Sequence, residues 1–197
     1  YGSTKEKIVN DASREFPLTS YDYIKTACDN LIDYYKKIYK LDCVSIRFAN
    51  IYGSDHHLRK VKNRRIINLL LDQMHLDNEV NIVGDGKFLK NYLHVSDAAK
   101  AILGVCQIKE ISKSILIAAS NENIYFIDVV KVLAKHYKKI FNKEINIRTG
   151  KSIKFQGDTK SYMMESSPEI KKYLANPITL NNGLKRLVTE YKKNLIK

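Results

Sequence analysis

Apolar positions recur every three to four residues in several stretches of the chain, and short apolar runs separate them. Ile24, Cys28, Leu31, Ile32 and Tyr35 keep helical spacing through a segment that starts after Ser20, a candidate N-cap, and runs to about Lys40. A β-type run follows at Cys43-Val44-Ser45-Ile46-Arg47-Phe48 and ends in Ala49-Asn50-Ile51-Tyr52-Gly53. The pattern then predicts a helix over 63–75, a brief strand over 80–83, and a turn at Gly84-Asp85-Gly86. A further strand is expected over 91–94, with Ser96 or Asp97 capping a helix that reaches about Cys106. Ile115-Leu116-Ile117-Ala118 reads as a buried strand, and 127–141 as a strongly periodic helix with a lysine-rich outer face. A strand over 145–148 and short helices over 169–174 and 182–191 complete the pattern. Helices and strands alternate, which argues for an α/β fold.

Composition adds limits. The 197 residues are 44% hydrophobic and 28% charged, ordinary for a globular protein, and suffice for one domain or a domain plus a lobe. No apolar run approaches 18 residues, so no membrane span is expected, and no signal-peptide pattern opens the chain. Cys28, Cys43 and Cys106 are odd in number and far apart, which reads as reduced, mostly buried thiols in a cytoplasmic setting. Lys plus Arg exceed Asp plus Glu by 34 − 21 = 13. The densest basic stretch, Arg59-Lys60-Val61-Lys62-Asn63-Arg64-Arg65, carries no interleaved aromatics, which argues against nucleic acid and for an anionic small substrate. His56-His57 are adjacent, point apart and lack an acidic or thiol cluster, so no metal site is expected.

The candidate chemistry lies in Tyr21-x-x-x-Lys25. Residues four apart share a helix face, and a neighbouring ammonium stabilises a phenolate, the condition under which tyrosine works as acid or base. With 13 tyrosines among many lysines, that spacing is also what chance supplies for a half-buried Tyr beside a solvated Lys. The pair gains weight from its neighbours in sequence: Tyr1-Gly2 before it, Arg47-Phe48-Ala49-Asn50-Ile51-Tyr52-Gly53 after it, and then Gly84-Asp85-Gly86-Lys87-Phe88-Leu89-Lys90-Asn91-Tyr92-Leu93-His94-Val95-Ser96-Asp97. The tail adds Leu174-Ala175-Asn176-Pro177 and Asn182-Gly183-Leu184.

In order and spacing these segments resemble the extended short-chain dehydrogenase/reductases of the NAD-dependent epimerase/dehydratase family, which modify nucleotide sugars. The resemblance implies a partial Rossmann-like fold, the second half of a doubly wound parallel sheet, plus a small α/β substrate-binding lobe. Residues 1–55 would be a remnant of the NAD-binding domain and 56–197 mainly the nucleotide-sugar lobe, with 91–120 returning to the Rossmann sheet. It implies Tyr21 as the acid/base, and Lys25 lowering its pKa and bonding the nicotinamide ribose. Phe48 would lie beside the nicotinamide, Asn50 would contact the sugar or diphosphate, and Lys90 would grip a phosphate. Lys90 stands where the family usually has arginine and lacks its bidentate fork. Phe155, in Phe155-Gln156-Gly157-Asp158, replaces a second arginine. No G-x-x-G-x-x-G run occurs in the 197 residues, so the expectation is a C-terminal portion whose NAD or NADP cradle, and the Ser or Thr partner of Tyr21, lie before Tyr1. The implied partners are a nucleotide-diphosphate sugar and a second copy, through the helix that begins at Tyr21. Alternatives are a nucleotide-sugar-binding fragment without activity, or a 4,6-dehydratase or reductase of the same family.

Overall fold

A computed structural model describes residues 4, 6–55, 65–150 and 161–195. Tyr1-Gly2, His56-His57, Arg59 to Arg64 and Phe155-Gln156-Gly157-Asp158 lie outside the described residues. In chain order the elements are β1 (Ile8–Val9), α1 (Ser20–Tyr39), β2 (Ser45–Phe48), β3 (Asn50–Tyr52), α2 (Ile66–Leu76), β4 (Glu79–Val83), β5 (Leu89–His94), α3 (Val95–Val105), β6 (Ile115–Ala118), β7 (Asn123–Tyr125), α4 (Phe126–Phe141), β8 (Asn146–Gly150), β9 (Met163–Met164), α5 (Pro168–Lys171) with a 3₁₀ turn at Lys172–Leu174, and α6 (Leu180–Leu195). The strands pair as β1-β9, β2-β6, β3-β5-β7 and β4-β8, with the three two-stranded pairings parallel. Parallel pairing with intervening helices is the arrangement of a Rossmann-like α/β fold.

The chain divides into two compact units. The first comprises Tyr1–Ile51, Asn91–Asn123 and Lys160–Pro177; the second comprises Tyr52–Lys90, Ile124–Thr159 and Ile178–Lys197. Residues 160–177, which the family resemblance groups with the substrate lobe, cluster with the first unit. The core of the first unit is built from β6 and the inner face of α3: Leu116, Ile117, Ala118, Ala98, Ala101 and Val105 are buried there, with Ile170 of α5 and Leu174 beside them. Gly104 of α3 lets the Tyr173 ring lie against the helix, since a Cβ at that position would stand 2.3 Å from the ring. In the second unit α4 packs on α6 and α2, and α2 on β4. Leu133 and Tyr137 of α4, Leu184 and Val188 of α6, and Leu71 and Met74 of α2 are fully buried.

Helix α1 departs most from its sequence pattern. Its N-cap is Thr19, not Ser20: the Thr19 side chain accepts from the Asp22 amide, and the Asp22 carboxylate accepts from the Thr19 amide at 3.0 Å, a reciprocal capping box. Most of its apolar stripe is exposed, with Ile24 at 62% and Leu31, Tyr35 and Cys28 also open to solvent and Ile32 half-buried. Asp29, at 7%, is the buried residue of the helix. What faces the rest of the unit is a polar stripe at Thr26, Asp29, Asp33 and Lys36, and each of these finds a hydrogen-bond partner. Cys106 is exposed and Cys43 half-buried, so the thiols are free but not the buried set expected. Helix α3 is capped by His94, whose ring accepts from the Ser96 amide at 3.2 Å, ahead of the expected Ser96 or Asp97. The short strands β1, β7 and β9 have no counterpart in the sequence pattern.

Candidate functional site

Tyr21 and Lys25 meet at the first turns of α1. The Lys25 Nζ lies 5.4 Å from the centroid of the Tyr21 ring, a cation–π contact, and Tyr21 is 66% exposed. One phenol and one ammonium thus share an accessible face. The capping box anchors this end of the helix: Asp22 also accepts from the Leu18 amide at 3.2 Å, which fixes the chain entering Tyr21. Backbone donation from Thr19 is the largest influence on the Asp22 carboxyl and, with Leu18, holds it below its ordinary range against the opposing effect of burial.

One turn further along, a charge cluster ties α1 to its surroundings. Arg47 of β2 donates through Nε to Asp29 at 2.7 Å, and its guanidinium also pairs with Glu15 in the segment before α1. Ser45 bonds the other Asp29 oxygen, and the Thr26 hydroxyl donates to Glu15 at 2.5 Å. Burial alone would raise the Glu15 carboxyl, but Thr26 and Arg47 outweigh it and the net direction is down. The sequence reading met Arg47 only as the first residue of the Arg47–Gly53 motif, with no role of its own, and did not single out Asp29 or Glu15. An arginine set between Ile46 and Phe48 in a strand, and an aspartate on the same α1 face as Tyr21 and Lys25, were the available signals.

Phe48 ends β2 and packs against the core of the first unit. Asn50, two residues on, is exposed and donates through Nδ2 to the Asn91 carbonyl at 3.0 Å. Asn91 is 1% exposed and joins three segments: its amide donates to the Ser120 carbonyl at 2.9 Å and to Asn123 Oδ1 at 3.1 Å, and its oxygen accepts from the Ser120 amide at 2.8 Å. The first unit therefore brings together Tyr21 with Lys25, and Asn50 with Asn91. Lys90 belongs to the second unit. Its Nζ lies 5.7 Å from the centroid of Phe88, whose ring stacks on Phe126 at 5.1 Å. Gly84 and Gly86 have φ of 63° and 68°, and a Cβ on Gly86 would stand 3.0 Å from Ile127, so the turn before Lys90 requires glycine. Among the described residues no three His, Cys, Asp or Glu side chains are grouped to hold a metal ion, and no helix is long and apolar enough to cross a membrane.

The parallel strands and flanking helices define a Rossmann-like α/β chain. The sequence pattern of the NAD dependent epimerase/dehydratase family matches residues 1–118, and the chain belongs to that family. A Schizosaccharomyces pombe protein named Uncharacterized protein PB2B2.11 is 28% identical over 215 residues, covering 97% of this chain and 58% of that protein. The Arabidopsis thaliana trifunctional UDP-glucose 4,6-dehydratase/UDP-4-keto-6-deoxy-D-glucose 3,5-epimerase/UDP-4-keto-L-rhamnose-reductase RHM1 is 26% identical over 199 residues, covering 98% of this chain and 28% of that protein. Among solved structures, the Bacillus cereus UDP-glucuronic acid 4-epimerase in complex with UDP-glucuronic acid and NAD superposes with a TM-score of 0.75 at 21% identity, over 96% of this chain and 57% of that one. The Bacillus anthracis dTDP-glucose 4,6-dehydratase in complex with NAD gives a TM-score of 0.75 at 21% identity, over 97% and 57%. The chain thus spans 58% or less of the lengths of these relatives and structures.

Proposed function

We propose that these residues carry the acid/base pair and the sugar-nucleotide lobe of an NAD(P)-dependent nucleotide-sugar epimerase or dehydratase. The carrying observation is the contact between Lys25 and Tyr21 on the exposed face of α1. Tyr21 exchanges a proton with a sugar hydroxyl, and Lys25 supplies the positive charge that favours the phenolate. When bound, the dinucleotide supplies hydride transfer. The residues present fit its nicotinamide-ribose end, through Tyr21, Lys25 and, at the end of β2, Phe48. They do not fit its pyrophosphate, because the 197 residues hold no Gly-rich strand-to-helix turn. Calorimetry is therefore expected to detect no NAD binding to these residues alone. Asn50 and Lys90 are the proposed contacts to the nucleotide-sugar. Asn50 keeps its place through its bond to Asn91, and Lys90 supplies a point charge for a phosphate.

The exposed apolar positions of α1, including Ile24, Leu31, Tyr34, Tyr35 and Ile38, support pairing with a second copy through that helix. Light scattering would read a dimer. The deciding test places these residues behind a Gly-rich dinucleotide fold and measures turnover of a UDP- or dTDP-sugar. Tyr21→Phe is expected to lower it by roughly 10²–10⁴-fold, and an unchanged rate would refute the assignment.

A further inference from the structure

Helices of the first unit carry carboxylates that pair with their own lysines: Lys37 with Asp33 in α1, and Lys100 with Asp97 in α3. The outer helices of the second unit do not follow that rule. Residues 126–144 and 180–195, which hold α4 and α6, contain nine Lys and Arg against three Asp and Glu. Lys131 pairs with Asp128 and Lys138 with Glu144, while Lys192 donates to the Ile140 carbonyl at 2.8 Å. Lys135, Lys139, Lys143, Lys185, Arg186 and Lys193 are exposed and form no ion pair with a described residue. Glu190, the third carboxylate, stands among Lys185, Arg186 and Lys193, three cations around one acid. Like charges four apart on a helix, as at Lys135 and Lys139, cost a few tenths of a kcal/mol unless something opposes them. Helix dipoles favour cations in a last turn, which accounts for Lys139 and Lys193 but not for Lys135, Lys185 or Arg186.

We propose that the outer face of α4 and α6 docks on an anionic lipid bilayer, held at the headgroups by these cations with no side chain inserted into the hydrocarbon. The two helices pack together, with His136 of α4 meeting Asn181 of α6 at 2.9 Å and Lys192 lying over the Phe141 ring. Lys135 and Lys139 directly precede His136 and Ile140 at this seam, and Lys185 stands one turn after Asn181, so both helices put cations along it. Between Phe126 and Phe141, and between Leu180 and Asn194, no large hydrophobic side chain is exposed, because the apolar faces of both helices are spent on the core of the unit. Insertion of an apolar face into the membrane is therefore absent and charge is the whole attraction. The same composition disfavours nucleic acid. Base stacking needs exposed aromatics, base reading favours arginine forks, and five of the six unpaired cations are lysines. The axes of packed helices lie about 8–10 Å apart. A planar anionic surface meets both rows of cations together, whereas a rod-like duplex meets one row at a time.

Co-sedimentation of the 197-residue chain with vesicles tests this. Binding is expected to vesicles of phosphatidylserine with phosphatidylcholine and not to phosphatidylcholine alone. It should weaken as salt shortens the Debye length from about 30 Å at 0.01 M to about 8 Å at 0.15 M. Each lysine near an anionic surface contributes about fivefold to partitioning, so Lys135→Gln/Lys139→Gln/Lys185→Gln should bind roughly 10²-fold more weakly. Arginine at the same three positions should keep the binding. Lys40→Gln/Lys109→Gln/Lys171→Gln removes the same charge from exposed positions of the first unit and should bind like the parent. No binding to the anionic vesicles, undiminished binding by the α4–α6 variant, or equal losses in the two glutamine sets would overturn the proposal, the last by showing a response to net charge alone. Circular dichroism checks that each variant is folded. Where the triple variant is not, Arg186→Gln/Lys193→Gln decides by the same comparison, with a loss of about 25-fold expected. Duplex DNA added at equal phosphate concentration should leave the chain on the vesicles. Release of the chain would assign the face to nucleic acid and overturn the lipid reading.

Discussion

Gly183→Ala sets two known effects against each other in the second unit. Gly183 lies inside α6, where exchanging glycine for alanine favours the helix by about 1 kcal/mol. The Tyr52 side chain, however, crosses the helix at that point. An added Cβ would stand 1.9 Å from Oη, 2.7 Å from Cζ and 3.0 Å from Cε2. Tyr52 is 1% exposed and Gly183 is buried, so the ring has little room to withdraw. Overpacking of a filled core costs about 1–3 kcal/mol, occasionally more, which exceeds the propensity gain. A 1.9 Å approach puts the cost in the upper part of that range, so the expected outcome is net destabilisation of about 1–2 kcal/mol, which lowers the thermal midpoint by a few degrees for a chain of this size. Thermal and urea unfolding followed by circular dichroism would measure it. Tyr52→Phe removes the atom at 1.9 Å, so the double variant should recover part of the loss. A Gly183→Ala protein as stable as the parent would show that helix propensity wins and that the close approach does not constrain the position.

Further expectations concern the anchoring of the first unit. Thr19→Ala removes the cap of α1 and should cost about 1 kcal/mol, read as a lower unfolding midpoint. The Asp22 carboxyl is held down chiefly by the Thr19 amide, so its contribution is complete above the ordinary carboxylate range near pH 4 and is lost as pH falls through its lower folded value. The stability gap between wild type and Asp22→Asn should therefore close on acidification, and a gap that persists to pH 2 would contradict this. Lys113 bridges Asp11 at 2.6 Å and Glu169 at 3.1 Å. Because the lysine is partly exposed, Lys113→Met should cost no more than about 1 kcal/mol in chemical denaturation.

Helix α4 was legible in the sequence because periodicity and burial coincide there: Val129, Val130, Leu133 and Tyr137 repeat on the face of α4 that is buried. Helix α6, expected as a short helix over 182–191, runs from Leu180 to Leu195. Strand β6 matches its apolar run residue for residue. Helix α1 shows where this reasoning stops. Spacing tells which residues share a face, but not which face the same chain covers, and here the covered face is the polar one. Strands β1 and β9 could not be read locally, since two residues each become strands only by pairing Ile8 with Met163 and Val9 with Met164. The candidate site was partly visible: Tyr21 and Lys25 were singled out by their spacing together with the order of the motifs around them, and their side chains are in contact. Arg47, Asp29 and Glu15 were not, because their relation depends on three segments meeting. The Tyr52-Gly53 and Asn182-Gly183-Leu184 signals looked independent in sequence. In the folded chain they converge on one contact, the Tyr52 phenol against Gly183.

The polar inner stripe of α1 also bears on how the first unit comes apart. An element held by ion pairs and hydroxyl bonds, with one buried side chain and that one an aspartate, has little apolar burial to lose when it detaches. Its amides should exchange with deuterium sooner than those of α3, whose Ala98, Ala101 and Val105 are locked in the core. Concentrated salt or mild acid should speed that exchange selectively, weakening the charges that hold the helix while leaving β6 protected. The helix that carries Tyr21 should therefore open first in its unit, and a protease added under such conditions should cut between Ser20 and Tyr39 before it reaches the sheet.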